Sequence, residues 1–403
     1  MLRERAEILR NPAAAALIAT ISGQIAVAMA IMTIPVLTPQ ISQEIEIDAS
    51  KVGLYSAIVF MGAITFTSIA GSVIDRYGAV RTTQIALAVS SLGLIISTVS
   101  IVPAMIVGAF ATGMGYGIAT PAASNLLART VEAKRRGLIF SIKQSGVPIG
   151  GVLLGLTVPI IAQDYGWLTG VLSVAITLLI LAIFLQIIRN YFDKDLDKNR
   201  RISPFETLEA LKLAFGDPKL RPLAISSFIY AMMQLSIFTY FVVFLVEKVD
   251  LTPVLAGFVF SIMHLGGTFG RPFLGWVSDR ILPARPLLSL VGFCIFLCSL
   301  ALISLNNQWP YPSILLLSAI TGLITAGWNG VYISEIARVV APKQIGRATG
   351  GVSAFTFFGV AIGPAVFSGV LELSGDYTAP LLILGIAALG PAVLLMLKSR
   401  EKL

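Results

Sequence analysis

The sequence is poor in charge and nearly empty of the residues that carry most chemistry. Only 12% of its 403 residues are charged, where a soluble domain carries about twice that fraction. It has one histidine, His264, and two cysteines, Cys294 and Cys298, four apart in one apolar stretch. Two cysteines so placed imply no disulfide framework and read as small buried hydrophobes. No His/Cys cluster has metal-ligand spacing, and no nucleophile–base arrangement or Walker sequence occurs. Gly113-x-Gly115-x-Gly117 lies inside an apolar run with no preceding strand, so it is not a nucleotide loop. No cofactor, no metal, no enzyme activity and no ATP-driven transport are expected. The alternating ten-residue segments of a β-barrel are absent too.

What fills the chain is apolar sequence. Hydrophobic residues make up 56% of it and the mean hydropathy is +0.87. A membrane span needs about 20 apolar residues, and inside a bilayer such runs must be helices because every backbone group has to bond internally. Twelve helices are predicted, near 13–38, 52–74, 81–101, 104–127, 138–162, 167–188, 222–246, 252–277, 285–305, 311–335, 346–371 and 378–397. The charged start, Met1 to Pro12, runs directly into a long span, which reads as a retained first helix rather than a cleaved signal.

All of the 29 Lys and Arg residues except Lys51 and Lys248 fall in alternate gaps between the apolar runs, or inside a run. Basic loops stay on the cytoplasmic side, so both termini are placed in the cytoplasm, in a cytoplasmic (inner) membrane. The loops holding Glu44, Glu46 and Asp48, Asp164, and Glu372 and Asp376 then face outward. The net charge of +8 is spread over short loops, which fits anionic membrane lipids as a partner and not nucleic acid.

Segment 189–220 holds Arg189, Lys194, Lys198, Arg200, Arg201, Lys212 and Lys219. It reads as a cytoplasmic linker between a bundle over 1–188 and a second over 221–403. Within it, Phe205, Leu208, Leu211 and Leu213 predict an amphipathic surface helix over Pro204 to Phe215. An internal repeat supports the halves: GSVIDRYGAVR at 71–81 aligns with GWVSDRILPAR at 275–285, and Ala128–Val131 aligns with Ala337–Val340. Two parallel copies of a six-helix unit is an arrangement of secondary carriers.

Gly71-x-x-x-Asp75-Arg76-x-Gly78-x-x-Arg81, its degenerate copy Gly275 to Arg285, and the twelve-span layout resemble the major facilitator superfamily. The resemblance implies an all-α membrane protein of twelve transmembrane helices in two pseudo-symmetric six-helix bundles. It also implies that the loop after the second helix latches the halves on the cytoplasmic side. By that resemblance Asp75 and Arg76 gate, with Asp279 and Arg280 as the weaker copy and Arg129, Glu335 and Arg338 as partners. Independently, Gly71 permits close helix approach and Gly78 a tight turn. Asp75 suits the N–H groups of a helix terminus, and Arg76 and Arg81 suit acids or lipid phosphates.

Ionisable residues inside a membrane default to function. Arg271 lies eight residues before Asp279, about 12 Å deeper along the eighth helix, and His264 lies two turns further on one stripe. Arg271-Pro272-Phe273-Leu274-Gly275 resembles the corresponding stretch of monocarboxylate and oxalate carriers, where the arginine holds a carboxylate. A guanidinium fits that group bidentately. Those carriers often place an acid one turn before the arginine, where this chain has Gly267. Lys143 and Gln144 open the fifth helix, where Gly146, Gly150, Gly151 and Gly155 form packing ridges; Lys143 either lines the cavity or snorkels to the surface. His264 either exchanges a proton or packs uncharged. Tyr116, Asn125, Tyr230, Gln234, Trp328, Asn329, Tyr332 and Gln24 add polar surface on helices that line the cavity in the superfamily.

The first six helices carry no carboxylate at membrane depth, so the pathway favours anions. The reading is a monomeric secondary carrier of a small organic anion, a carboxylate, working by alternating access. Proton symport, exchange for a counter-anion, and substrate entering with its own proton remain open. The alternative is a proton-driven exporter of lipophilic drugs, which commonly needs a buried acid.

Overall fold

The computed structural model describes residues 11–132, 136–194, 196–197, 212, 214–340 and 345–400. The described residues are helices and connections, without strands. Twelve helices are long and apolar enough to span a membrane: Pro12–Ile45, Ala49–Thr67, Ala79–Ser97, Val102–Thr130, Ile142–Tyr165, Trp167–Phe192, Arg221–Glu247, Pro253–Arg280, Ala284–Ser304, Tyr311–Ile336, Ala348–Ser374 and Thr378–Leu397. They are numbered below as spans one to twelve. The chain is a multi-pass membrane protein. The surface helix predicted over Pro204 to Phe215 lies, apart from Lys212, Ala214 and Phe215, outside the described residues.

Three details depart from the sequence reading. Span one continues as helix to Ile45 past Pro35 and Pro39, so Glu44 is helical rather than in a loop. Span two ends at Thr67, and a separate helix, Ala70–Tyr77, carries the motif. Span five is broken near its start: the helix Arg136–Gln144 ends at a break at Ser145, and the helix Gly146–Tyr165 follows.

The described residues separate into two compact units. One takes Met1–Ile34 with Ile58–Pro204, the other Pro35–Ala57 with Phe205–Leu403. The division cuts spans one and two midway. Backbone bonding accounts for it: the Tyr240 hydroxyl donates to the Ser50 carbonyl and accepts from the Gly53 N–H at 3.1 Å. Ser368 Oγ donates to the same Ser50 carbonyl at 2.8 Å. Gly53 sits so tightly against the Pro364 carbonyl that a Cβ there would overlap it.

Within each unit the helices meet through the same glycine contacts, which is how the repeat shows itself in three dimensions. Gly113 of span four seats on the Val59 backbone of span two, and Gly322 of span ten seats on the Met263 backbone of span eight. Gly62 meets the Phe110 carbonyl as Gly266 meets the Ala319 carbonyl. Gly150 of span five meets Ile25 of span one as Gly359 of span eleven meets Phe228 of span seven. Lipid tails give helices no hydrophobic reason to associate, so close backbone approach at small residues supplies the van der Waals contact instead. The Gly113–Gly117 series is thus a helix-packing ridge: Gly117 seats on Ala63, and Gly115 on Ala86 and Ser90.

Candidate functional site: a polar cluster and two charged motif ends

The motif in the first unit is built around one turn. Gly78 has φ +89°, a left-handed conformation open to glycine. It ends the helix Ala70–Tyr77 and starts span three. The carboxylate of Asp193, just beyond span six, accepts from the Val80 and Arg81 N–H groups at 3.0 and 2.8 Å. A Cβ on Gly78 would run into that carboxylate, so the glycine serves both the turn and the cap. Burial raises the Asp193 pKa, partly offset by these two N–H bonds and by the charges of Arg189 and Arg129. Sequence reasoning assigned Asp75 to the N–H groups of an opposing helix terminus; its backbone carbonyl accepts from Asp197 N at 2.9 Å. A hint of Asp193 existed: an acid at a helix C-terminus opposes that helix's own dipole, so it suits the N-terminus of another. Asp75 and Arg76 are exposed, and the Arg76 guanidinium lies 5.5 Å from the Tyr77 ring centre. Arg81 Nη1 donates to Gln84 Oε1 at 3.2 Å. A Cβ added at Gly71 would meet nothing within 4 Å among the described residues.

The second unit meets the same demand differently. Arg285, the repeat partner of Arg81, donates through Nε to Glu335 Oε1 at 2.7 Å, and Arg338 Nη2 lies 2.9 Å from Glu335 Oε2. The Glu335 side chain has no exposed surface and that of Arg285 is 7% exposed, whereas that of Arg338 is 61% exposed. Arg338 is the repeat partner of Arg129, and the residue three before Arg129 is Leu126. One unit therefore carries its acid on span ten, the other at the end of span six. Asp279 and Arg280 are exposed at the end of span eight.

Deeper in the second unit the structure gathers Arg271, Gln234 and Asn329, from spans eight, seven and ten. The Ala326 carbonyl accepts from Arg271 Nε at 3.4 Å and from Asn329 Nδ2 at 3.2 Å. Asn329 Nδ2 also donates to Gln234 Oε1 at 3.4 Å. All three side chains belong to half-buried residues. Gly267 opens this region by letting span eight approach Ala326, whose Cβ lies 3.0 Å from where a Gly267 Cβ would stand.

His264, two turns from Arg271, is fully buried between the rings of Phe238 and Phe260, at 4.6 and 4.4 Å between centroids. Neither of its ring nitrogens has a hydrogen-bond partner among the described residues. Tyr230 and Trp328 lie inside the bundle with their polar atoms in use. The Tyr230 hydroxyl donates to the Leu288 carbonyl at 2.8 Å and Trp328 Nε1 to the Thr325 carbonyl at 2.9 Å.

In the first unit, Lys143 is 1% exposed and donates to Gln144 Oε1 at 3.2 Å. Its burial differs from the snorkelling alternative. Gln24 is 2% exposed and accepts from Thr120 Oγ1 at 3.2 Å, with its Nε2 unpartnered among the described residues. Gly146, just past the break in the helix, lets that turn close on Gln24. The Tyr116 ring packs edge-on to Phe60 at 5.8 Å. Among the described residues no group of three His, Cys, Asp or Glu is placed to hold a metal ion.

Known proteins place this arrangement. The chain is 25% identical over 366 residues to the nitrite extrusion protein of Bacillus subtilis, covering 89% of this chain and 88% of that one. It is 22% identical to the hexuronate transporter of the same organism over 87% of this chain and 86% of the other. It is 26% identical to the 3-(3-hydroxy-phenyl)propionate transporter of Escherichia coli over 90% and 89%. A sequence model of the Major Facilitator Superfamily matches residues 20–336. With twelve spans, a repeated six-helix plan and this match, the chain belongs to the Major Facilitator Superfamily and is a membrane transporter.

Proposed function

We propose that the protein is a secondary carrier of a small organic anion, a carboxylate, working by alternating access in the cytoplasmic membrane with both termini inside. The observation that carries this reading is the half-buried Arg271 within span eight, which shares the Ala326 carbonyl with the Asn329 amide, itself bonded to Gln234. A cation held in low dielectric attracts an anion far more strongly than one in water, and the planar fork matches a carboxylate. Names of similar proteins point the same way, since nitrite, hexuronate and hydroxyphenylpropionate are all anions. The buried Lys143 of the first unit adds positive charge of the same sense. Asp75, Arg76, Gly78, Arg81 and Arg129 in one unit, and Asp279, Arg280, Glu335 and Arg338 in the other, act in gating. The carrier functions as a monomer, and the driving partner is a proton or a counter-anion.

A thermal-shift screen of purified protein against organic acids, organic cations and neutral sugars tests the reading. Acids should raise the unfolding midpoint of the wild type and leave Arg271→Ala unmoved. Protection by cations, or protection by acids that persists in Arg271→Ala, refutes it.

A further inference from the structure

We infer that the transported anion carries a hydroxyl group, and that Asn329 and Gln234 read it; this rests on Arg271 holding the carboxylate. The argument begins with one backbone atom. The Ala326 carbonyl can only accept, so the atom of Asn329 that lies 3.2 Å from it is the amide nitrogen. That nitrogen has a second hydrogen, and it is directed at Gln234 at 3.4 Å, so the facing Gln234 atom is the oxygen. The two amide orientations are thereby fixed by a group of known polarity.

What remains follows by counting. Asn329 keeps Oδ1, an acceptor, and Gln234 keeps Nε2, a double donor. Among the described residues, the hydrogen bonds of these two side chains run through Asn329 Nδ2 and Gln234 Oε1. Arg271 stands on the same carbonyl. A ligand that completes this set presents acceptors to Arg271 and to Gln234 Nε2, and a donor to Asn329 Oδ1. A simple carboxylate or an inorganic oxyanion such as nitrate has acceptors only, and leaves Oδ1 facing another lone pair. An ammonium group would supply the donor but would be repelled by the neighbouring guanidinium. A hydroxyl supplies the donor without charge. Hydroxylated carboxylic acids therefore fit, and the distinction separates the hexuronate-type from the nitrite-type substrates named among the similar proteins.

The test uses matched pairs on the purified full-length chain: glycolate against acetate, lactate against propionate, 4-hydroxybenzoate against benzoate, with nitrate and glycerol as controls. One neutral hydrogen bond in a half-buried site corresponds to about a 3- to 10-fold difference in Kd. The hydroxy acid of at least one pair should bind tighter by that factor. In Asn329→Ala the gap within the pair should close, and in Arg271→Ala binding of both acids should be lost. Should Asn329→Ala unfold, Gln234→Met serves, because it removes the Nε2 donor to the hydroxyl oxygen and should narrow the same gap while Ala326 still orients Asn329. Equal binding within every pair, or nitrate binding tightest, overturns the hydroxyl inference while leaving the anion reading intact. Glycerol binding that survives Arg271→Ala overturns the anion reading and spares the role of Asn329. Absence of binding by every acid overturns both.

Discussion

Replacing Glu335 by leucine should be the most damaging single change at the motif end of the second unit. The residue sits between two arginines of unequal exposure. Its own side chain is fully buried, Arg285 is 7% exposed and Arg338 is 61% exposed. Removing the acid strands the Arg285 guanidinium in a site where water cannot solvate it. Breaking such a pair from one side costs about 3–5 kcal/mol. Arg338 is screened by water, so Arg338→Ala should cost under about 1 kcal/mol. Arg285→Met leaves Glu335 with Arg338 and should fall between the two. The double variant Arg285→Met/Glu335→Leu removes both buried charges and should regain most of the loss, because apolar replacement of a whole buried pair is often neutral or stabilising. At roughly 2–4 °C per kcal/mol for a unit of this size, Glu335→Leu should lower the unfolding midpoint by about 6–20 °C. The assay is thermal unfolding of detergent-purified protein for all four variants. A Glu335→Leu midpoint within about 2 °C of Arg338→Ala, or a double variant no better than Glu335→Leu, refutes the reasoning.

Other consequences are equally direct. Gly78→Ala should destabilise by about 1–3 kcal/mol from backbone strain alone and further by displacing Asp193; in an Asp193→Ala background its effect, read from unfolding midpoints, should shrink. Because burial holds the Asp193 pKa above its ordinary value, the folded state favours the protonated form. Its stabilising contribution is complete below the unfolded pKa and is lost as pH rises through the folded one, so Asp193→Asn should flatten the midpoint against pH from about 4 upward. Gly322→Ala drives a methyl into the Met263 backbone and should cost about 1–3 kcal/mol by overpacking, as should its repeat partner Gly113→Ala. Ala at Gly390, where a Cβ meets nothing within 4 Å, should leave the midpoint unchanged in the same measurement.

The cap on span three shows where sequence reading stops. Gly78 announced its turn through residue type, since a positive φ selects glycine almost alone. The acid that completes the turn comes from a residue 115 positions later, Asp193 − Gly78. Chain order alone cannot pair an acid so far along the sequence with this turn. Glu335 repeats the lesson: its type marked it as functional, but its partner Arg285 emerges only when spans nine and ten are packed. Tyr230 and Trp328 were legible as polar groups on these helices, but that their polar atoms bond the Leu288 and Thr325 carbonyls shows only in the packed structure.

The sequence by itself determined the class, the twelve spans, the duplicated plan and the presence of an arginine inside an apolar span. These follow from hydropathy, from the side on which Lys and Arg settle and from residue spacing, all properties carried along the chain. Tertiary structure alone decided which helix supplies each acid, that the ends of spans one and two pack with the second unit, and which atoms of Asn329 and Gln234 remain open. Those outcomes depend on which backbone carbonyl comes within 3.5 Å of which side chain, and distances of that kind exist only once helices from distant parts of the chain have closed on one another.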